Sequence, residues 1–244
     1  MCILALAWQA HPRWQLVVAA NRDEYHDRAA APLARWGERD VIAGRDLQAG
    51  GTWLGVSEGG RFAAVTNLRG FDALDPAPAS RGSLVADLVA GNGPYADLDL
   101  EKLTLFNPFN AIAISPEGAL HLSNRPHAIR QALSPGLHGM SNGPLDPPWH
   151  KTARLTRQIE HWLDDPAATA ERLLIALRDP EQPNGKPGDT STIFVKDAVY
   201  GTRCSTVVMI DHAGVGSIIE RRYDPAGQPV GDVMIPFHWD TRPA

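Results

Sequence analysis

Cysteine is nearly missing. Cys2 and Cys204 are the two among 244 residues, too few for a disulfide framework and in keeping with a reducing, cytoplasmic setting. Long apolar runs are missing as well: the longest, residues 1–8 and 16–20, fall far short of the ~18–20 residues that cross a bilayer, so no membrane span is expected. No basic stretch precedes the first run, which stops at Trp8-Gln9, so the start does not read as a secretory signal. Positive charge is in deficit. Lys and Arg number 23 against 28 Asp and Glu, a net charge of −5, without the broad basic footprint of a nucleic-acid binder. Internal repeats, heptads and a P-loop are absent, and Gly91-Asn92-Gly93 neither follows a strand nor leads to the third glycine of a dinucleotide fingerprint. The nine histidines are scattered without zinc-ligand spacing, and no metal site is expected.

What remains, 43% hydrophobic and 21% charged, is ordinary globular composition, and the length suits a single domain over residues 1–244. Residues 2–8 and 14–20 are apolar runs separated by the His11-Pro12-Arg13 turn, the pattern of a buried hairpin. Residues 52–57 and 61–66 pair across Glu58-Gly59-Gly60, and residues 110–115 and 119–123 across Pro116-Glu117-Gly118. Apolar spacing of three to four predicts helices over 83–90, 97–105, 150–163 and 167–177. Strands return at 190–195, 198–210, 215–223 and 228–235, and proline- and glycine-rich surface loops occupy 75–82 and 179–189. Hairpins with helices in blocks, rather than βαβ alternation, predict an α+β fold of largely antiparallel sheets.

Residues 139–143 fit G-x-S-x-G, but Pro144, Pro147 and Pro148 follow at once. They prevent the helix that a nucleophile elbow needs directly after its serine, which argues against Ser141 acting with His212 or His238. The N-terminus is more informative. Methionine removal is favoured before a small residue, so the mature chain would begin at Cys2 and carry a thiol and a free α-amine on one residue. Reference pKa values of about 7.7–8 and ~8.5 let that amine serve as base for its own thiol. A cysteine in an apolar strand is equally a small core residue. The tetrad Asn21-Arg22-Asp23-Glu24 ends the second apolar run and reads either as a solvated strand end or as site machinery. An antiparallel hairpin returns the end of its second strand to the start of the first, which brings Arg22 and Asp23 toward Cys2. An arginine there favours thiolate, and a carboxylate there holds the ammonium.

Taken together, the Met-Cys start, the NRDE tetrad, GGTWLGV at 50–56, TNLR at 66–69, GMSNGPLDPPWHK at 139–151 and YGTRCSTV at 200–207 resemble the NRDE family, also named for transport and Golgi organisation. That family is similar to N-terminal nucleophile hydrolases of the choloylglycine hydrolase and penicillin V acylase branch. The resemblance implies a four-layer αββα sandwich, and cleavage of a linear C–N amide bond through a thioester without a cofactor. It makes Cys2 the nucleophile, with Arg22 and either Asp23 or Glu24 as its flanking arginine and acid. It further implies a backbone oxyanion donor at Asn67, a side-chain oxyanion donor at Asn142, and a late-strand arginine near the nucleophile at Arg203. The acylases space arginine and aspartate as R-x-x-D, whereas Arg22 and Asp23 are adjacent. A strand running through both turns them to opposite faces, so only one can face Cys2 unless a bulge or turn begins there. The resemblance also brings an alternative, a non-catalytic carrier on the same fold for haem or for a lipid or acyl-CoA ligand. Haem would be held non-covalently, since Cys-x-x-Cys-His is missing. A pure interaction module explains the ordered polar motifs least well. Trp8, Trp53, Trp149 and Phe71 either line an apolar pocket or belong to the core.

Overall fold

The computed structural model describes residues 3–71, 79–146, 149–181 and 192–239. Cys2 lies outside them. The chain opens with strands β1 (Ile3–Trp8), β2 (Trp14–Tyr25), β3 (Ala30–Arg35), β4 (Ile42–Asp46), β5 (Leu54–Val56) and β6 (Phe62–Asn67). Helices α1 (Arg81–Ala90) and α2 (Leu100–Leu103) come next, then β7 (Phe109–Ser115), β8 (Gly118–Ser123), β9 (Ile129–Ala132) and β10 (Gly136–Met140). The last third holds α3 (His150–Asp164), α4 (Ala170–Ala176), β11 (Tyr200–Asp211), β12 (Val215–Tyr223) and β13 (Pro229–His238).

The strands form two sheets. One has six strands in the order β10-β1-β2-β11-β12-β13, and the other is a seven-stranded meander from β3 to β9; every pairing between these strands is antiparallel. Period-two alternation sorts the side chains into three cores. Leu4, Leu6, Leu16 and Val18 meet Leu54, Val56, Phe62 and Ile112 between the sheets. Ile3, Ala5, Val17 and Ala19 face outward under Leu155, Ile159 and Trp162 of α3. On the other outer face, Leu84, Val85, Leu88 and Val89 of α1 cover Ala63, Val65 and Ala111. The result is an α+β sandwich with layers αββα, as the family resemblance implied. Each fully buried leucine, isoleucine or phenylalanine contributes ~1.5–3 kcal/mol, so the six-stranded sheet is anchored from both sides.

Several boundaries differ from the sequence expectations. Strand β2 continues past Ala20 through the polar tetrad to Tyr25, because β11 pairs along that whole length. The helix expected over 97–105 shrinks to α2, capped by the Asp99 side chain on the Lys102 N–H. The end of the 75–82 loop is a helix start: Ser80 accepts from the N–H groups of Gly82 and Ser83. Of the strand expected over 190–195, residues 192–195 are irregular, tied down by Phe194 N–H to the Asp179 carbonyl and Thr202 N–H to the Val195 carbonyl. Strands β3, β4, β9 and β10 carry proline, glycine or polar residues, the composition that edge and near-edge strands tolerate and that weakens their signal.

Candidate active site

The register of the six-stranded sheet sets the site. Met140 of β10 pairs with Leu4, which pairs with Ala20 of β2. One step on, Ile3 pairs with Asn21. Two residues beyond the Met140–Leu4–Ala20 row come Asn142 on one side and Arg22 on the other, flanking the start of β1. The polar tetrad and the GMSNG motif therefore converge on the start of β1 through strand pairing alone.

Arg22 follows the parity of Val18 and Ala20 and enters the space between the sheets. It is 4% exposed. Its Nη2 donates to Asp46 Oδ2 at 3.2 Å, Glu24 Oε2 lies 3.9 Å away, and its guanidinium stands 4.5 Å from the centre of the Trp53 ring. Its Nη1 is buried with no hydrogen-bond partner among the described residues, a donor left unspent where that is costly. Arg28 Nε donates to the same Asp46 oxygen at 2.7 Å. Burial alone would raise the Asp46 carboxyl, but the hydrogen bonds from Arg28 and the Ala49 N–H hold it below the usual carboxylate range. Two glycines make this packing possible. A Cβ at Gly44 would sit 2.6 Å from the Trp53 ring, and one at Gly51 would sit 2.1 Å from the Gly82 carbonyl carbon.

Asp23 takes the opposite face, as alternation requires of a neighbour. Its Oδ1 accepts from Thr202 Oγ1 at 2.7 Å, and its carbonyl from the Tyr200 hydroxyl at 3.2 Å. Glu24 is thus the acid that shares Arg22's side. Arg203 is the extra residue of a bulge, since β11 pairs Thr202 with Asp23 and Cys204 with Arg22. Its Nη1 donates to the carbonyls of Tyr25 and His26 at 2.8 Å each, which fixes the turn after β2.

Asn142 and Asn67 come together across the two sheets. Asn142 Nδ2 donates to the Asn67 carbonyl at 2.9 Å, and the Arg69 N–H donates back to the Asn142 carbonyl at 3.0 Å. This reciprocal clasp uses one of the two amide hydrogens of Asn142. The turn is held from behind, where Asn110 Nδ2 donates to the Gly143 carbonyl and His121 Nε2 lies 3.4 Å from Asn110 Oδ1. A Cβ at Gly143 would meet the Trp149 ring at 2.3 Å, and one at Gly139 would meet Thr152 Cγ2 at the same distance. Both glycines of the motif are therefore required by space.

The family model for Transport and Golgi organisation 2 matches residues 1–225. The chain belongs to that family. The bovine Transport and Golgi organization protein 2 homolog is 31% identical over 91% of this chain and 92% of its own length. The human homolog is 29% identical over 99% and 97%. Among solved structures, a Caenorhabditis elegans ortholog of N-acylethanolamine-hydrolyzing acid amidase superposes with a TM-score of 0.52 at 11% identity, covering 84% of this chain and 92% of its own. A variant of conjugated bile acid hydrolase from Clostridium perfringens gives a TM-score of 0.52 at 8% identity, covering 100% and 98%. This Transport and Golgi organisation 2 chain thus shares the fold of N-terminal nucleophile hydrolases.

Other sequence features of this family member fall outside the site. Ser141 is fully buried, and α3 begins only at His150. His212 lies by Arg13 and His238 opposite Val215, both at the far end of the sheet from Ser141. Among the described residues no three His, Cys, Asp or Glu side chains group to hold a metal ion, and no helix is long and apolar enough to cross a membrane. The ring nitrogens of His121 face Asn110 and Gln131, and Cys204 is buried beside Glu220. Trp8 belongs to the inter-sheet core, Trp53 lies under Arg22, and Trp149 covers Gly143. Phe71 is exposed. Asp46, Arg28, Asn110 and Arg69 were not legible as site residues in the sequence, because only the pairing of the two sheets brings them there.

The GMSNG turn also carries a titrating pair. His138 Nδ1 and Asp146 Oδ2 are 2.9 Å apart, and Asp146 Oδ1 accepts the Gly139 N–H at 2.6 Å. The bond to Asp146 raises the His138 pKa above its ordinary value. Burial opposes ionisation of Asp146, but its bonds to His138 and Gly139 still leave its pKa lowered. A raised histidine stabilises the fold fully below its unfolded pKa of about 6.5 and loses that contribution as pH rises through the folded value. A lowered aspartate contributes above its unfolded pKa of ~3.9 and loses that as pH falls through the folded value. The pair therefore contributes most between about pH 4 and 6.5. Thermal melts of His138→Gln against the parent should differ more at pH 5.5 than at pH 8.5, and an equal difference at both would contradict the ion pair.

Proposed function

We propose that this chain is an amidohydrolase in which Cys2 attacks the carbonyl carbon of a linear amide. The observation that carries the reading is the buried Arg22 guanidinium, with Nη1 unspent, on the strand that flanks the start of β1. Leu4, Leu6 and Trp8 face the inter-sheet side with Arg22. In this reading the α-amine, freed by removal of Met1, takes the thiol proton while sulfur forms the bond to carbon. Arg22 stabilises the thiolate, and the remaining Nδ2 hydrogen of Asn142 and the strand end at Asn67 receive the developing oxyanion. The C–N bond breaks as the ammonium returns its proton to the leaving nitrogen. Water, activated by the same amine, then cleaves the thioester, releases the carboxylic acid and restores the thiol.

The nematode neighbour is named for hydrolysing N-acylethanolamines and the bacterial one for conjugated bile acids, which makes N-acyl amides the class to screen. Release of free amine from such a panel tests the reading. Asn142→Ala should lower kcat/KM by roughly 10²–10³, the ~2.7–4 kcal/mol that an oxyanion donor supplies. An unchanged rate in a folded variant would remove Asn142 from the mechanism.

A further inference from the structure

The chain as a whole is acidic, yet the site gathers arginine. Around Glu24 stand Arg22 and Arg28, at 3.9 and 3.7 Å, and its charge also reaches Arg81 and Arg203. The other carboxylate serving this group is Asp46, shared by Arg22 and Arg28. Asp23 is turned to the far face of the sheet. Glu220 is buried deeper, bonded to the Leu33 N–H at 2.9 Å, and both Arg222 and Arg22 act on its charge. With Glu220 and Arg222 counted, five guanidinium groups share three carboxylates.

Arg81 is the most exposed to this imbalance. It is half-buried, has no ion-pair partner among the described residues, and donates only to the Pro108 carbonyl at 3.0 Å. Burial and the neighbouring charge of Arg28 both disfavour its protonated form. It is also the first residue of α1, where the helix end adds partial positive charge. The buried Nη1 of Arg22, the donor assigned above to the thiolate, is unpartnered in the same cluster, so the excess of donors over acceptors stands before a substrate arrives. Positive charge concentrated without counter-charge is stable when an anion completes it, and planar guanidinium groups suit an oxyanion with two acceptor oxygens.

We infer that the substrate is an amide bearing an oxyanionic group, a carboxylate or a phosphate, received by Arg81 and Arg28 beside the scissile bond. The inference rests on the amidohydrolase reading for the word substrate, and on the arginine cluster alone for the anion. Titration calorimetry on the full chain carrying Cys2→Ala, which cannot turn the amide over, separates the two. The probes are N-decanoylglycine, N-decanoyl-O-phosphoethanolamine and the neutral N-decanoylethanolamine. One of the two anionic probes should bind at least ~10-fold tighter than the neutral one, and whichever does identifies the oxyanion. Arg81→Gln should abolish that preference while Arg81→Lys keeps part of it; Arg28→Gln provides the same reading if Arg81→Gln fails to fold. Equal affinity for all three, no binding, or a preference that survives Arg81→Gln and Arg28→Gln would overturn the inference. If the anion preference holds but the parent chain hydrolyses none of the probes, the amidohydrolase reading falls and the anion site stands. If the parent hydrolyses the neutral probe and shows no anion preference, the anion site falls and the amidohydrolase reading stands.

Discussion

Replacing Cys2 with alanine should reduce N-acyl amide hydrolysis by about 10⁴-fold or more, the scale on which removal of a catalytic nucleophile acts. The loss belongs in kcat rather than KM, because the thiol forms its bond only as the reaction proceeds. The thermal midpoint should hold, since β1 is anchored from Ile3 onward by pairing with both β2 and β10 and by two cores. Cys204 cannot substitute. Its thiol is fully buried, and burial together with the nearby Glu220 charge pushes its pKa well above the ordinary range, which removes the thiolate that nucleophilic attack requires. Full turnover by the Cys2→Ala variant would end the amidohydrolase reading.

Arg22→Met should be costly in two ways. Methionine fills similar space over Trp53 but removes one of the two guanidinium groups that contact Asp46 and Glu24, the one that is buried with them. Breaking a buried ion pair by removing one partner costs ~3–5 kcal/mol, and retention of the 2.7 Å bond from Arg28 to Asp46 places this case at the lower end. For a chain of this length about 3 kcal/mol corresponds to a fall of roughly 6–12 °C in Tm. Activity should fall further than stability explains, because the unspent Nη1 is removed with the rest of the side chain. Arg22→Lys separates the effects: it restores a charge for Asp46 but lacks the planar fork and the second donor direction, so Tm should recover more than kcat. Equal recovery of both would make Arg22 a structural ion-pair residue only.

The layered fold was legible because apolar alternation is strong in the central strands. Leu4, Leu6, Leu16 and Val18 face one core, and Ala5, Val17 and Ala19 the other, a period that survives without tertiary information. The divergence of Arg22 and Asp23 was legible for the same reason, once β2 was allowed to run through both. Its true end at Tyr25 was not, because the pairing with β11 that sustains it lies some 180 residues away in sequence. Edge composition hid β3, with Pro32 in its middle, and β10, whose Gly139 is there to clear Thr152. The partners of the site were hidden more deeply. Nothing local marks Asp46 as the counter-ion of Arg22, or the Asn67 carbonyl as the acceptor for Asn142, since each pair spans the two sheets. Arg203 was placed on the correct strand, while the bulge that aims it at the carbonyls of Tyr25 and His26 follows only from the register.

The most direct measurement is the denaturing intact mass of the purified protein, taken before and after brief exposure to an N-acyl substrate. An N-terminal cysteine nucleophile predicts a starting species lighter by one methionine than the full 26.4 kDa chain. It also predicts a transient gain of one acyl mass that is absent from Cys2→Ala. Retention of Met1 in protein that still turns over amide, or acylation that persists in Cys2→Ala, would contradict that mechanism.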